Sequence, residues 1–334
     1  MNRSSAIAVV SLSCWLCAEN LRAVSPEIVN ARQHGAQGQV TLRVTDSTGK
    51  PIEKAQLSVA FWASDSSADV VVSEGTTDTN GLFVAAGKTI HSMNYEIKKD
   101  DSYKTTGQYW FYPGQGRSVL NGRWQPWNPT NTVVLKEKRN PVAMYAKNVE
   151  TPLPLRDTAV GFDLEVGDWV APHGKGREAD MFFTYTARVQ DYWTFSNQLF
   201  IACSNQMAGL YRTTRDTGTS FPSIYEAPTN GYQAQVVQSL DRTKYKIMAK
   251  EEIGGSEYLV FRVRTVLDDK GNILSARYGK IYGPIEYGEK DQGGGGVRFT
   301  YYLNPTDNDR NLEFNPSRNL FNWRHDARER PYMP

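Results

Sequence analysis

Excess charge of one sign is absent from this 334-residue chain, where 38 Lys and Arg against 36 Asp and Glu leave a net charge of only +2. So small an imbalance supplies no broad field for gripping a polyanion, which argues against nucleic acid as the main partner. Cysteine is scarce too, limited to Cys14, Cys17 and Cys203. The first two fall in the extreme N-terminal stretch, so Cys203 is left alone and no internal disulfide framework is available. Its setting, Leu199-Phe200-Ile201-Ala202-Cys203, reads as a buried strand rather than a reactive thiol. Only four histidines are present: His34, His91, His173 and His325. None has a glutamate three residues later and no H-E-x-x-H occurs, so the ligand spacing of a zinc peptidase is missing. No apolar run is long enough to span a bilayer as a helix, and no helical period of apolar residues is evident.

What is present begins with a leader-like start. Met1-Asn2-Arg3 is positive, Ser4 to Ala18 is mostly apolar and uncharged, and Glu19 ends the run. That pattern predicts a secretory signal over 1–23, with small residues at Ala18 and Ala23 as cleavage candidates. Lipidation at Cys14 or Cys17 is the alternative, although neither has the Leu-small-small approach such a site needs.

Aromatics make up 12% of the chain, against 22% charged residues, a balance suited to β-rich globular structure. Val40, Leu42 and Val44 alternate with polar residues, as do Ala55, Leu57, Val59 and Phe61, giving two half-buried strands. Asp46-Ser-Thr-Gly-Lys-Pro51 and Thr77-Asp-Thr-Asn-Gly81 supply turn chemistry between strands. Tyr95 to Lys98 and Thr132 to Leu135 read as further strands. With no convincing helix, short strands and regular turns predict an all-β sandwich.

The run Val40 to Val59, followed by Thr77-Asp-Thr-Asn-Gly-Leu-Phe83, resembles the carboxypeptidase regulatory-like family. Its pattern is a strand, a D-x-x-G-x-P turn, an x-x-A-x-V strand and T-D-x-x-G-x-F. The resemblance covers residues 38–137 and implies a transthyretin-like, Ig-like β-sandwich. It also implies an accessory role in stability, glycan contact or surface display. Tyr103 to Trp127 departs from that pattern as an aromatic- and Gly-rich insertion.

Lys136-Glu-Lys-Arg-Asn-Pro141 marks a charged break, and the domain boundary is expected there, with a second antiparallel β-rich, sandwich-like domain over 138–322. In it, Phe162-Asp-Leu-Glu-Val166 reads as a strand with acids on one face. Phe183 to Val189 and Leu259 to Val263 alternate, and Asp268 to Asn272 predicts a hairpin leading into Ile273 to Tyr282. Phe299 to Leu303 is a late strand. Gly293 to Gly296 reads as a mobile loop, and 323–334 as a charged, solvated tail that Trp323 docks. Gly167 to Gly176 is similar to segments of uncharacterised exported bacterial proteins, and implies no activity.

Catalytic motifs are near-misses. Gly81 to Thr89 has five residues between its glycines where a phosphate loop has four, and no G-x-G-x-x-G or G-x-S-x-G occurs. Ser47-Thr-Gly-Lys50 has S-x-x-K spacing but lies in a turn. Asp163 and Glu165 are the candidate carboxylate pair for a polysaccharide hydrolase, about 7 Å apart on a strand. The competing reading makes them a solvated face. Asp307 and Asp309 are candidate calcium ligands, with an ordinary loop as the competing reading.

For binding, Tyr109, Trp110, Tyr112, Arg123, Trp124 and Trp127 are the candidates. Flat rings on a β-scaffold stack on sugar faces while polar neighbours take the hydroxyls, unless those rings instead pack between the domains. The sequence calls for no cofactor and leaves the oligomeric state open. The expectation is therefore an exported, non-catalytic binding or surface-accessory protein with glycan contact, in the periplasm, at the cell surface or outside the cell. A hydrolase using second-domain acids and a purely structural envelope component are the alternatives.

Overall fold

The computed structural model describes residues 24–64, 69–111, 118–191, 193–250, 253–290, 294–322 and 327–334. The predicted signal segment, Cys14 and Cys17, the ring of Tyr112, and Trp323 lie outside them.

The described chain is nearly all β. It opens, however, with a helix that alternation arguments missed, α1 (Pro26–His34). Its sequence carries the start and stop signals: Ser25 caps the first turn, Pro26 sits at the first helical position, and Gly35 ends it at positive φ. Two sheets follow. One joins β1 (Ala36–Thr45) to β4 (Leu82–Thr89), and to the short β7 (Ser118–Leu120), β8 (Arg123–Gln125) and β9 (Thr130–Val134). The other is fully antiparallel, in the order β3 (Val70–Thr76), β2 (Gln56–Trp62), β5 (Ser92–Lys98), β6 (Thr105–Trp110). Val40, Leu42, Val44, Leu57, Val59, Phe61 and Ile97 form the core between them.

Both predicted turns of this region are built by aspartates. Asp46 Oδ1 accepts from the N–H groups of Thr48 and Lys50, and Asp78 Oδ1 from those of Asn80 and Leu82. Buried Thr77 joins the turns, donating to Ile52 O and accepting from Ala55 N. Gly81 sits at φ 73°, where a Cβ would fall 2.4 Å from Val44 O, so both conformation and space demand glycine.

Beyond the charged break lie two larger antiparallel sheets. The first has the order β10 (Tyr145–Pro152), β20 (Gly294–Asn304), β19 (Ile273–Lys290), β18 (Glu257–Leu267), β15 (Gly209–Thr214). The second runs β12 (Asp168–Trp169), β11 (Val160–Asp163), β13 (Met181–Asp191), β14 (Thr194–Cys203), β16 (Gln235–Thr243), β17 (Lys246–Lys250). Phe162, Phe183, Leu199, Phe261, Ile281 and Phe299 fill the space between them. The 268–272 hairpin forms as predicted, with Asp268 Oδ1 accepting from Lys270 N and Asn272 N.

The first of these sheets is covered on its other face as well. Tyr258, Val260, Tyr278, Tyr282 and Tyr302 pack under Ala227, Leu312 and Phe314 from irregular segments. Three expectations are corrected here. The strand predicted over 162–166 stops at Asp163, where the chain turns. Gly294 to Gly296 are not loop: they belong to β20, and a Cβ on Gly295 would stand 2.6 Å from the Tyr185 ring. Residues 327–334 dock onto the protein rather than running free.

The two sets of sheets meet around Glu313. This buried carboxylate accepts from Tyr103 Oη (2.9 Å) and from the N–H groups of Arg139 and Asn140 (3.0 and 2.9 Å). Tyr103 stacks on Phe221 at 4.8 Å, and Lys136 Nζ donates to Phe221 O and Ser223 O. The charged break is thus a polar joint between the cores.

Candidate functional site

The aromatic insertion divides into core rings and surface rings. β8 is only three residues long, yet strand alternation turns Arg123 outward and Trp124 inward. Trp124 is fully buried, donates from Nε1 to Thr89 O at 2.9 Å, and lies 6.3 Å from Phe111. Its assignment as a ligand-stacking ring is therefore corrected: it is core. Phe111 presses on Gly38, whose Cβ would fall 2.7 Å from the ring. Half-buried Tyr109 meets Phe111 edge-on at 5.1 Å. Trp110, one residue along β6, points the other way and is 47% exposed, with the His91 ring 5.3 Å away. The exposed Arg123 guanidinium stacks 4.8 Å from the ring of half-buried Trp127. Among the described residues of the insertion, Trp110 and the Arg123–Trp127 pair remain available to a ligand.

The second-domain acids form a different object. Arg264 sits at an irregularity of β18 with φ 51°, an unusual conformation for a side-chain-bearing residue. Its guanidinium takes Asp180 Oδ1 at 2.8 Å, Glu165 Oε2 at 2.6 Å and Asp163 Oδ1 at 3.2 Å. Arg277 binds the other oxygen of Glu165 and also Asp307 Oδ1, the latter at 2.8 Å. Burial works against the charge on Asp163, but N–H groups of Arg177, Val166, Glu178 and Glu165 hold its carboxyl below the usual range. For Asp180 burial wins, and its carboxyl is raised despite Arg264.

Asp163 and Glu165 are therefore neither a solvated face nor a pair placed across a bond. Both converge on one guanidinium, which fills the space a scissile bond would need. The cluster fastens the Asp163–Glu178 loop to β18 and β19, and the hydrolase assignment of these two residues is corrected accordingly.

Asp307 and Asp309 do not form a cation cage. Asp307 belongs to Arg277, while Asp309 accepts from Asn304 Nδ2 (2.9 Å) and Asn311 N (3.0 Å). Among the described residues no cluster of His, Cys, Asp and Glu is arranged to hold a metal ion. Cys203 ends β14 half-buried, and burial, reinforced by Asp180, pushes its thiol up to about 12, so it is a poor nucleophile.

One polar cluster was missed. On β19, Lys280 shares a face with Tyr278 and Tyr282, while Ile281 enters the opposite core. Lys280 is wholly buried, with Ser223 Oγ at 3.0 Å and Tyr282 Oη at 2.9 Å, and Tyr282 Oη donates to Ser223 Oγ at 2.8 Å. The rings of Phe221, Tyr282 and Tyr302 surround its nitrogen at 4.7, 4.5 and 5.0 Å. Burial, then the neighbouring Lys136, pushes this amine well below the ordinary lysine range. A Tyr-Gly-Lys-Ile-Tyr strand reads as polar outside and apolar inside. Only the density of tyrosine around the lysine hinted at cover on both faces.

No family model matches the chain, and no curated protein matches it. Among solved structures, a 3-chlorocatechol 1,2-dioxygenase from Rhodococcus opacus 1CP aligns with 31% of this chain and 61% of its own, at 13% identity and TM-score 0.25. A streptococcal ancillary pilin aligns over 85% of this chain and 62% of its own, at 12% identity and TM-score 0.20. The chain thus spans less than two thirds of either protein. At such superposition neither carries an argument about this chain's activity.

Proposed function

We propose that this chain is an exported surface-accessory protein that contacts glycan through Trp110 and the Arg123–Trp127 pair. The carrying observation is Trp110, half exposed on a strand whose alternate residue, Tyr109, is anchored in the core. A large flat ring fixed to a sheet loses little freedom on stacking against a sugar face, and the Arg123 guanidinium beside Trp127 supplies donors for hydroxyls. The leader-like start supports export. The two aspartate-built turns support the likeness of the first unit to carboxypeptidase regulatory-like modules. Retention of the purified chain on immobilised polysaccharides, with released sugars scored in the same assay, tests the reading. Retention without release is the expected result; release would return the hydrolase alternative, through residues other than the Arg264-bound acids.

A further inference from the structure

The sheet that carries β13, β14, β16 and β17 is longer than the core it closes. On its inner face Tyr185, Leu199 and Gln238 stand side by side across three strands, all of them buried. Two residues further along, Ala187, Asn197 and Leu240 form a row in which only Asn197 is buried. Two further still, Val189, Phe195, Arg242 and Ile247 line up across four strands. Antiparallel partners share a face, so this last row belongs to the core side of the sheet, about 13 Å beyond the last closed row. It is nevertheless open: Ile247 is 64% exposed and Val189 is exposed as well. A recess of about 450 Å3 has Val189, Phe195 and Arg242 in its wall.

The overhang ends in two hairpin tips. The β13–β14 turn presents Trp193 and the β16–β17 turn presents Tyr245. Pairing of Phe195 with Arg242 brings both turns to the same end of the sheet. Trp193 is exposed, and Tyr245, at 90%, is the most exposed large apolar residue among those described. The Arg242 guanidinium lies over the Trp193 ring at 4.9 Å, and Lys244 Nζ over the Tyr245 ring at 5.8 Å. Arg188 and Lys246 bring the cations of these two segments to four, against the acids Asp191 and Asp241. Asp191 serves its own turn, its Oδ1 accepting from Trp193 N at 2.7 Å.

The surface therefore combines exposed aliphatic side chains, aromatic tips and a surplus of positive charge. A second copy laid along the edge strand β17 would bring two sets of lysines together, the arrangement that discourages strand pairing. A bilayer bearing anionic headgroups matches all three features, because rings settle at headgroup level and each cation near such a surface is attracted to it. We propose that these two tips dock the chain peripherally on an anionic lipid surface. Trp193 and Tyr245 lie among the headgroups, Val189 and Ile247 meet the acyl boundary, and Arg242, Lys244 and Lys246 face the phosphates. The contact is on a different sheet from Trp110 and does not rest on the glycan reading.

The test sediments the purified chain with vesicles of phosphatidylcholine alone, or of phosphatidylcholine with one quarter phosphatidylglycerol, at low salt. Partition onto the anionic vesicles is expected to exceed that onto the neutral ones about ten-fold or more, and to fall as salt is raised. Lys244→Gln with Lys246→Gln is expected to weaken it on the order of ten-fold, since each lysine near the surface contributes about a factor of five. Trp193→Ser with Tyr245→Ser is expected to weaken it by about as much. All four side chains are exposed, and thermal melts verify that the variants are folded. No partition onto either vesicle, equal partition onto both, or binding that either pair of substitutions leaves intact would overturn the proposal. A second copy as the occupant would appear as a concentration-dependent mass in light scattering without vesicle binding, and overturns it too. None of these results bears on polysaccharide retention, because Trp110, Arg123 and Trp127 are unaltered throughout.

Discussion

Arg264 and Lys280 are both basic side chains under cover, and they differ in what surrounds them. Arg264 is met by carboxylates, and although burial opposes its charge, Asp180 and Glu165 hold that charge firmly in place. Removing it by Arg264→Met leaves Asp163 and Asp180 buried without their counter-ion, a loss expected to cost about 3–5 kcal/mol in urea unfolding. An unchanged midpoint would mean that the acids are already relieved by other donors.

No Asp or Glu side chain is among the hydrogen-bond partners of Lys280. Lys136 and, more distantly, Glu313 are the charges it senses. Its folded-state affinity for a proton is depressed, so between that value and about 10.5 the unfolded chain binds more protons. Lys280 therefore makes stability rise with pH across that window. Urea midpoints measured from pH 7 to 10 are expected to climb more steeply for the unmodified chain than for Lys280→Met. Parallel profiles would show that the amine keeps its ordinary affinity. Neither side chain was legible as buried. Lys280 occupies the polar phase of an alternating strand, which by itself cannot report a second covering layer, and Arg264 sits at a strand irregularity that alternation does not register.

At the scale of elements, that covering layer is the main departure from the sequence reading. Leu259, Phe261 and Val263 face one core as expected, but Tyr258, Val260 and Arg262 are buried on the other side. Arg262 is accommodated by donating to Met207 O and Thr229 O and lying over the Tyr232 ring at 4.3 Å. Gly279 marks how tightly the middle of this sheet is packed: a Cβ there would stand 2.1 Å from Tyr302 O and 2.2 Å from the Phe261 ring. Gly279→Ala is expected to destabilise by about 1–3 kcal/mol or more through overpacking, read as a lowered denaturation midpoint. A neutral result would mean that β18 and β20 can part without cost.

Turns were the most legible features, since Asp-x-x-Gly geometry is local and the aspartates at 46, 78 and 268 act on the next few N–H groups whatever packs above them. The strand end at Asp163 was illegible for the opposite reason. Its carboxylate recruits N–H groups from Arg177 and Glu178, residues distant in sequence, and so turns an apparent alternation into a loop anchor.

At the scale of the molecule, the all-β class was readable from composition and alternation, and the polar joint coincides with the charged break at 136–141. Which aromatic rings would face solvent was not readable, because a three-residue strand decides between Arg123 and Trp124. That choice gives the glycan reading an internal control. Trp110→Ala and Trp127→Ala remove rings that are exposed or half-buried, whereas Trp124→Ala empties the core and is expected to cost about 3–5 kcal/mol of stability. Retention of these three variants on a polysaccharide that holds the unmodified chain, measured well below their melting temperatures, is the most direct test. The account predicts that Trp110→Ala and Trp127→Ala lose retention with their stability intact, while folded Trp124→Ala is retained. Retention that survives both surface substitutions, or a panel of polysaccharides that holds none of the proteins, would contradict it.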